Sequence, residues 1–173
     1  DIPYTYLAAN LIRQGAVDAS SCPDGGLDSS GNVNQCGLEQ ARPAVRDWQN
    51  QFDELILSTA KDTSVPARLL KNLFARESQF WPGIYQGGGD VGLGQLTENG
   101  ADTTLFWNSS FYNQCCPLVL KDGECGAGYM HLDDEQKNLL RHALVNSVNA
   151  TCEDCPLGLD LTQADFSVNV FAH

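Results

Sequence analysis

The chain has 173 residues, of which 42% are hydrophobic and 18% are charged. That is enough for one domain with a substantial core, and too apolar for a disordered protein. Its 22 acidic residues against 10 basic ones give a net charge of −12, which argues against nucleic-acid binding because that needs a basic face. No apolar run approaches the roughly 20 residues of a membrane-spanning helix.

The first 38 residues predict a short helix followed by a long loop. Apolar residues in 1–15 fit an amphipathic helix loosely. Residues 16–38 are rich in Gly, Ser and Asp, and Cys22 and Cys36 bracket most of this loop. Cysteines placed in this way favour a local disulfide.

Two strong helices follow. Apolar residues at helical spacing predict a helix over 43–60, with Pro43 in its first turn. A second helix is predicted over 66–78, with Ser64 as its N-terminal cap. Strand signals are weak here and throughout the chain, so the fold class is mainly α with disulfide-stapled loops.

The second half of the chain is predicted to be irregular between residues 98 and 132 and helical over 134–148. Asp133, followed by Gln136 three positions later, forms a capping box for that helix. A last helix opens at Thr162, and because it has no stop signal we expect a segment to be missing downstream.

Seven cysteines indicate an oxidising compartment, so the protein is predicted to be secreted, extracellular or periplasmic. Zinc is the alternative, because Cys152 and Cys155 have the spacing of a metal knuckle. Cys22 and Cys36 are the natural local pair. Adjacent cysteines pair poorly with each other, so Cys115 and Cys116 are expected to bond outward. Their candidate partners are Cys125, Cys152 and Cys155, and a remaining cysteine would find its partner beyond His173 or on another chain.

Glu77 is the strongest candidate for a catalytic residue. It follows Leu70, Leu73 and Phe74 at seven, four and three positions, which predicts that it lies on the apolar face of its helix. A carboxyl group in that place must be paired or stay protonated, and a protonated carboxylic acid is what glycosidases use on a leaving oxygen. The alternative is a Glu at a helix end that bends out into water.

The neighbouring residues resemble the soluble lytic transglycosylase and goose-type lysozyme superfamily. Over residues 64–98, a helix ends in Glu77-Ser78, a glycine-rich loop follows, and Gly92-Leu93-Gly94-Gln95 stands where the family has Gly-Leu-Met-Gln. The resemblance implies a lysozyme-like α+β fold with little sheet. It also implies two units: an N-terminal extension over 1–38, and a lysozyme-like domain over 39–173 that is truncated at its C-terminus.

The resemblance further implies that Glu77 is the catalytic acid/base and that Ser78, Gln95, Gly92 and Leu93 shape or bind the substrate. Asp90 lies where goose-type lysozymes place a water-positioning acid, but after three glycines it is equally a turn former. Among the nearby aromatic residues, which mostly belong to a core, Tyr85 and Trp81 are candidates to stack on a sugar.

The function predicted from these residues is cleavage of β-1,4 bonds in peptidoglycan or a related N-acetylated glycan, with no cofactor. Two departures from the family pattern weaken this prediction, and the second of them, together with the net charge of −12 and the many cysteines, favours an alternative. Gly94 replaces the motif methionine, and no Ala-Tyr-Asn-Ala-Gly-like segment follows in residues 98–173. The alternative is a lysozyme-like scaffold reused as a structural or glycan-binding module of an extracellular assembly.

Overall fold

The computed structural model describes residues 2–83, 89–121, 123–149 and 161–173, without the side chains of residues 161–163, 165 and 166. These parts are mainly helical, as the sequence predicts. They contain short 3₁₀ turns, two isolated antiparallel bridges, Leu27 with Val33 and Val91 with Leu96, and the following α-helices. The helices are α1 (Thr5–Arg13), α2 (Gln35–Asn50), α3 (Asp53–Thr63), α4 (Ala67–Glu77), α5 (Glu98–Trp107), α6 (Ser109–Cys115), α7 (Asp134–Val148) and α8 (Leu161–Ala172).

The helix predicted over 43–60 is two helices, because the helical conformation is interrupted between the end of α2 at Asn50 and the start of α3 at Asp53. Helix α2 begins before Pro43, which lies in its interior. Its start is set by Asn34, whose side chain accepts a hydrogen bond from the Gly37 N–H at 2.9 Å. Ser64 has a left-handed backbone and ends α3, so it does not cap α4 as predicted.

The N-terminal residues pack into the same core as the helices that follow. The boundary predicted between residues 38 and 39 falls inside α2. Leu7 and Leu11 of α1 are buried in one cluster with Trp48 of α2 and Phe74 of α4. The disulfide between Cys22 and Cys36 is present, as predicted.

The prediction of irregular structure between 98 and 132 is wrong, since α5 and α6 lie there. Thr97 accepts a hydrogen bond from the Gly100 N–H, and Asn108 accepts one from the Phe111 N–H, so each helix has a side-chain cap. The many aromatic residues and cysteines of this stretch obscure the helical spacing of its apolar residues. Helix α7 begins at its predicted capping box.

Buried residues form two clusters that meet at the segment 91–96. The first cluster includes residues of α1 to α4, and the second includes residues of α5 to α7. Leu93 belongs to the first cluster, whereas Val91 and Leu96 belong to the second. Helix α8 also contributes to both, through Val168 and Val170 respectively. No helix in the described ranges is both long and apolar enough to cross a bilayer.

Candidate functional site at the end of helix α4

Glu77 is the last residue of α4, and its side chain is exposed. The expectation that it lies on the buried face is therefore wrong. The buried face is formed by Leu70, Phe74 and Ser78, which are four positions apart. With about 100° of rotation per residue, Glu77 lies roughly 20° from Leu70 and roughly 60° from Phe74, at the edge of that face. Because it is the last residue of α4, its side chain turns out to solvent.

Ser78 joins the end of α4 to the segment that carries the second half of the motif. Its side chain is 0% exposed. Its hydroxyl donates to the Leu93 carbonyl at 2.8 Å and approaches the Phe74 carbonyl at 3.2 Å. The two halves of the motif are thus in direct contact, and in this conformation the Ser78 hydroxyl is closed to a ligand.

The next three residues attach the same chain segment to α1 and α2. The Gln79 side-chain oxygen accepts hydrogen bonds from the Tyr6 and Leu7 N–H groups, at 2.9 and 3.2 Å, and so caps α1. The Phe80 carbonyl accepts from the Trp48 indole at 2.8 Å. Trp81 is buried and stacks on Trp48. The suggestion that Trp81 lines a sugar cleft is therefore wrong.

The Gln95 side chain joins Gly83 to Gly92 through their carbonyl groups. Its side-chain nitrogen donates to the Gly92 carbonyl at 2.8 Å and to the Gly83 carbonyl at 3.5 Å. The side chain is half-buried, and its backbone is left-handed with φ of 52°. Gln79 and Phe80 have left-handed backbones as well, so local strain is concentrated just after α4 and at Gln95.

Gly92, Leu93 and Gly94 are buried and lie against α8. A Cβ at Gly92 would lie 2.7 Å from the Ser167 hydroxyl and 2.7 Å from the Val148 carbonyl. A Cβ at Gly94 would lie 2.0 Å from the Phe171 ring. The space next to Gly94 is filled by this phenylalanine.

Asp90 is exposed, like Glu77, so the protein presents two carboxylates to solvent from this region. Tyr85, the remaining candidate for sugar stacking, lies outside the described residues. Sequence reasoning missed Ser167 and Phe171 of α8. The glycines indicated a close approach of another chain segment, but no pattern told which segment it was.

Among the described residues, one further disulfide joins Cys116 to Cys125, as one of the predicted alternatives has it. Cys115 is half-buried and has no disulfide partner among the described residues. Cys152 and Cys155, including the zinc alternative, lie outside those residues. Within the ranges that the structure describes, no three His, Cys, Asp or Glu side chains are grouped to hold a metal ion.

Comparisons with family models, with curated proteins and with solved structures give no match to this chain.

Proposed function

We propose that this protein cleaves β-1,4 glycan bonds of peptidoglycan, as a glycosidase or lytic transglycosylase, with Glu77 as the general acid/base. The observation that carries the proposal is the hydrogen bond from the Ser78 hydroxyl to the Leu93 carbonyl. It joins the Glu-Ser helix end to the Gly-Leu-x-Gln segment, two pieces that are fourteen or more positions apart in the sequence. Glu77 is meanwhile left exposed and reachable by a large polymer.

The position of this segment supports the same proposal. Residues 91–96 lie where the two buried clusters meet, so contacts from both clusters fix their position. Left-handed backbones at Gln79, Phe80 and Gln95 concentrate strain there, and such strain clusters at functional sites.

In the proposed reaction, the Glu77 carboxyl group protonates the glycosidic oxygen as its bond to the anomeric carbon breaks. The resulting oxocarbenium-like sugar then reacts in one of two ways. A hydroxyl of the same sugar can attack the anomeric carbon and return its proton to Glu77, giving an anhydro sugar. Alternatively, water attacks and returns its proton to Glu77, and Asp90 is the candidate that would position this water.

The two disulfides of the described residues support an oxidising location. We therefore propose that the protein acts outside the cytoplasm, as a secreted or periplasmic protein, where peptidoglycan is accessible.

The alternative function is a lysozyme-like scaffold that serves as a structural or glycan-binding module. The specific observation that favours it is the burial of Ser78, Gln79, Phe80 and Trp81. Their contacts with α1, α2 and the Leu93 peptide stabilise the fold whether or not Glu77 is catalytic. Under this alternative, the residues of the motif stabilise the fold, and Glu77 takes no part in a reaction.

Release of soluble fragments from dye-labelled cell-wall glycan tests the proposal. Glu77→Gln should lose at least about a hundredfold of the rate, because general acid catalysis contributes roughly 10² to 10⁴. Glu54→Gln is the matched control, since Glu54 is also an exposed glutamate on a helix. Equal activity of the Glu77 variant and the control would remove Glu77 from the mechanism.

A further inference from the structure

We propose that Ser167 of α8 is a positioning residue for the candidate site, and that it acts through the Leu93 peptide. This inference rests on the proposed function of Glu77. Ser167 lies 74 positions from Leu93 in sequence and makes a direct hydrogen bond with it.

Buried serine hydroxyls hold the Leu93 backbone on both sides of its Cα, one at the Gly92–Leu93 peptide and one at the Leu93–Gly94 peptide. The Leu93 N–H donates to the Ser167 oxygen at 3.1 Å, and the Leu93 carbonyl accepts from Ser78 at 2.8 Å. Ser78 is the neighbour of Glu77 and ends α4. A continuous chain of contacts therefore runs from α8, through the backbone of Leu93, to the residue next to the proposed acid.

The surroundings leave this arrangement little room to adjust. Ser167 is 4% exposed and Leu93 is 0% exposed, so water cannot readily replace the hydroxyl as an acceptor. At Gly92, a Cβ would come within 2.7 Å of the Ser167 hydroxyl. At Gly94, the Phe171 ring lies directly against the backbone. Helix α8 thus fixes the position and the orientation of the backbone of residues 92–94.

Removing the Ser167 hydroxyl leaves a buried N–H without its acceptor, which the chain relieves by moving the Leu93 peptide. Leu93 joins this peptide to the next one, whose carbonyl accepts from Ser78. The movement therefore shifts Ser78 and, with it, the direction in which Glu77 leaves the helix. A small misplacement of a catalytic group lowers the rate of the chemical step more than it lowers substrate binding.

The test compares the steady-state kinetics of Ser167→Ala with those of the wild type on the same glycan. We expect kcat to fall about three- to tenfold, with KM unchanged within about twofold. Ser147→Ala is the matched control, because the Ser147 hydroxyl bonds only a carbonyl of its own helix in the described contacts. Ser167→Cys keeps a weak acceptor and should fall between the wild type and the alanine variant.

Amide hydrogen exchange at Leu93 gives a second reading that does not depend on turnover. We expect faster exchange in Ser167→Ala and an unchanged rate in Ser147→Ala. Unchanged exchange at Leu93, or a wild-type kcat in Ser167→Ala, would overturn the positioning role while Glu77-dependent cleavage stands. If the wild type and Glu77→Gln leave the glycan equally intact, the proposed function itself fails.

Discussion

Gln79 shows how one side chain of the motif can serve the fold over a long distance in sequence. Its oxygen caps the start of α1 by accepting from the Tyr6 and Leu7 N–H groups. Tyr4, at the N-cap position, supplies no side-chain hydrogen bond of its own. The free N–H groups at the start of α1 thus find their acceptor in a residue that is distant in the sequence.

Gln79→Ala should lower the free energy of unfolding by about 1–3 kcal/mol, because it leaves buried N–H groups without an acceptor. Urea denaturation measures this change. Gln35→Ala is the control, since Gln35 is exposed and bonds Glu39 of its own helix, and it should change stability by less than about 0.5 kcal/mol. Equal effects of the two variants would mean that the cap contributes nothing measurable.

Asp90 has two possible roles, and the reaction products distinguish them. It follows three glycines and is exposed, which suits a turn residue. In that role, Asp90→Asn should leave the rate within about twofold, because a surface substitution of this kind changes little, and the products should carry anhydro ends. Mass spectrometry of the digest measures both. Hydrated reducing ends that disappear in the variant would instead make Asp90 the residue that positions water.

At the scale of elements, α5 and α7 are joined by a polar cluster at one edge of the second core. Asp102 of α5 accepts a hydrogen bond from the Tyr129 hydroxyl at 2.5 Å, and Arg141 of α7 lies 3.2 Å from the same carboxylate oxygen. Burial, followed by the hydrogen bond to Asp102, raises the pKa of Tyr129 above its usual value. The phenol therefore stays protonated at neutral pH and keeps its role as a donor.

Tyr129→Phe should lower the free energy of unfolding at neutral pH by about 1.5–3 kcal/mol, as expected for a hydrogen bond to a charged group. Because the folded-state pKa lies above the unfolded-state value of about 10, this contribution is complete below about pH 10. It is lost as the pH rises through the folded-state pKa. Denaturation of both proteins at a series of pH values measures the difference.

Tyr112→Phe is the control for that experiment, because the Tyr112 hydroxyl donates to the neutral carbonyl of Cys125 at 3.1 Å. It should cost about 1 kcal/mol. If Tyr129→Phe costs no more than this control, the carboxylate adds no stability to the Tyr129 contact.

At the scale of the whole molecule, the sequence predicts those elements whose signals are local. The capping box of α7 and the apolar spacing of α4 lie within the helices that they specify, and both helices are confirmed. The helix predicted over 43–60 is wrong in its bounds because Asn34, and not Pro43, sets the start of α2, and because α2 ends before α3 begins. The burial of a side chain also depends on which face of its helix packs against another helix. Glu77 lies at the edge of the face of α4 that packs, and it is exposed.

The sequence predicts only those parts of the candidate site that are close to one another in the chain. Glu77, Ser78 and the segment around Gln95 are close in the chain and carry a recognisable pattern. The contact between Leu93 and Ser167 joins residues 74 positions apart, and nothing in the composition of α8 indicates it. Tertiary packing alone brings that helix to the motif.

Under the proposed function, the segment where the two buried clusters meet contributes to a glycan-cleaving site with Glu77 as its acid. Mass spectrometry of purified peptidoglycan incubated with the wild type and with Glu77→Gln tests this proposal. The proposed function predicts muropeptides cut at the glycan bond by the wild type, and none from the folded Glu77→Gln variant over the same time. Equal muropeptide release by the two proteins, or none by the folded wild type, would contradict it.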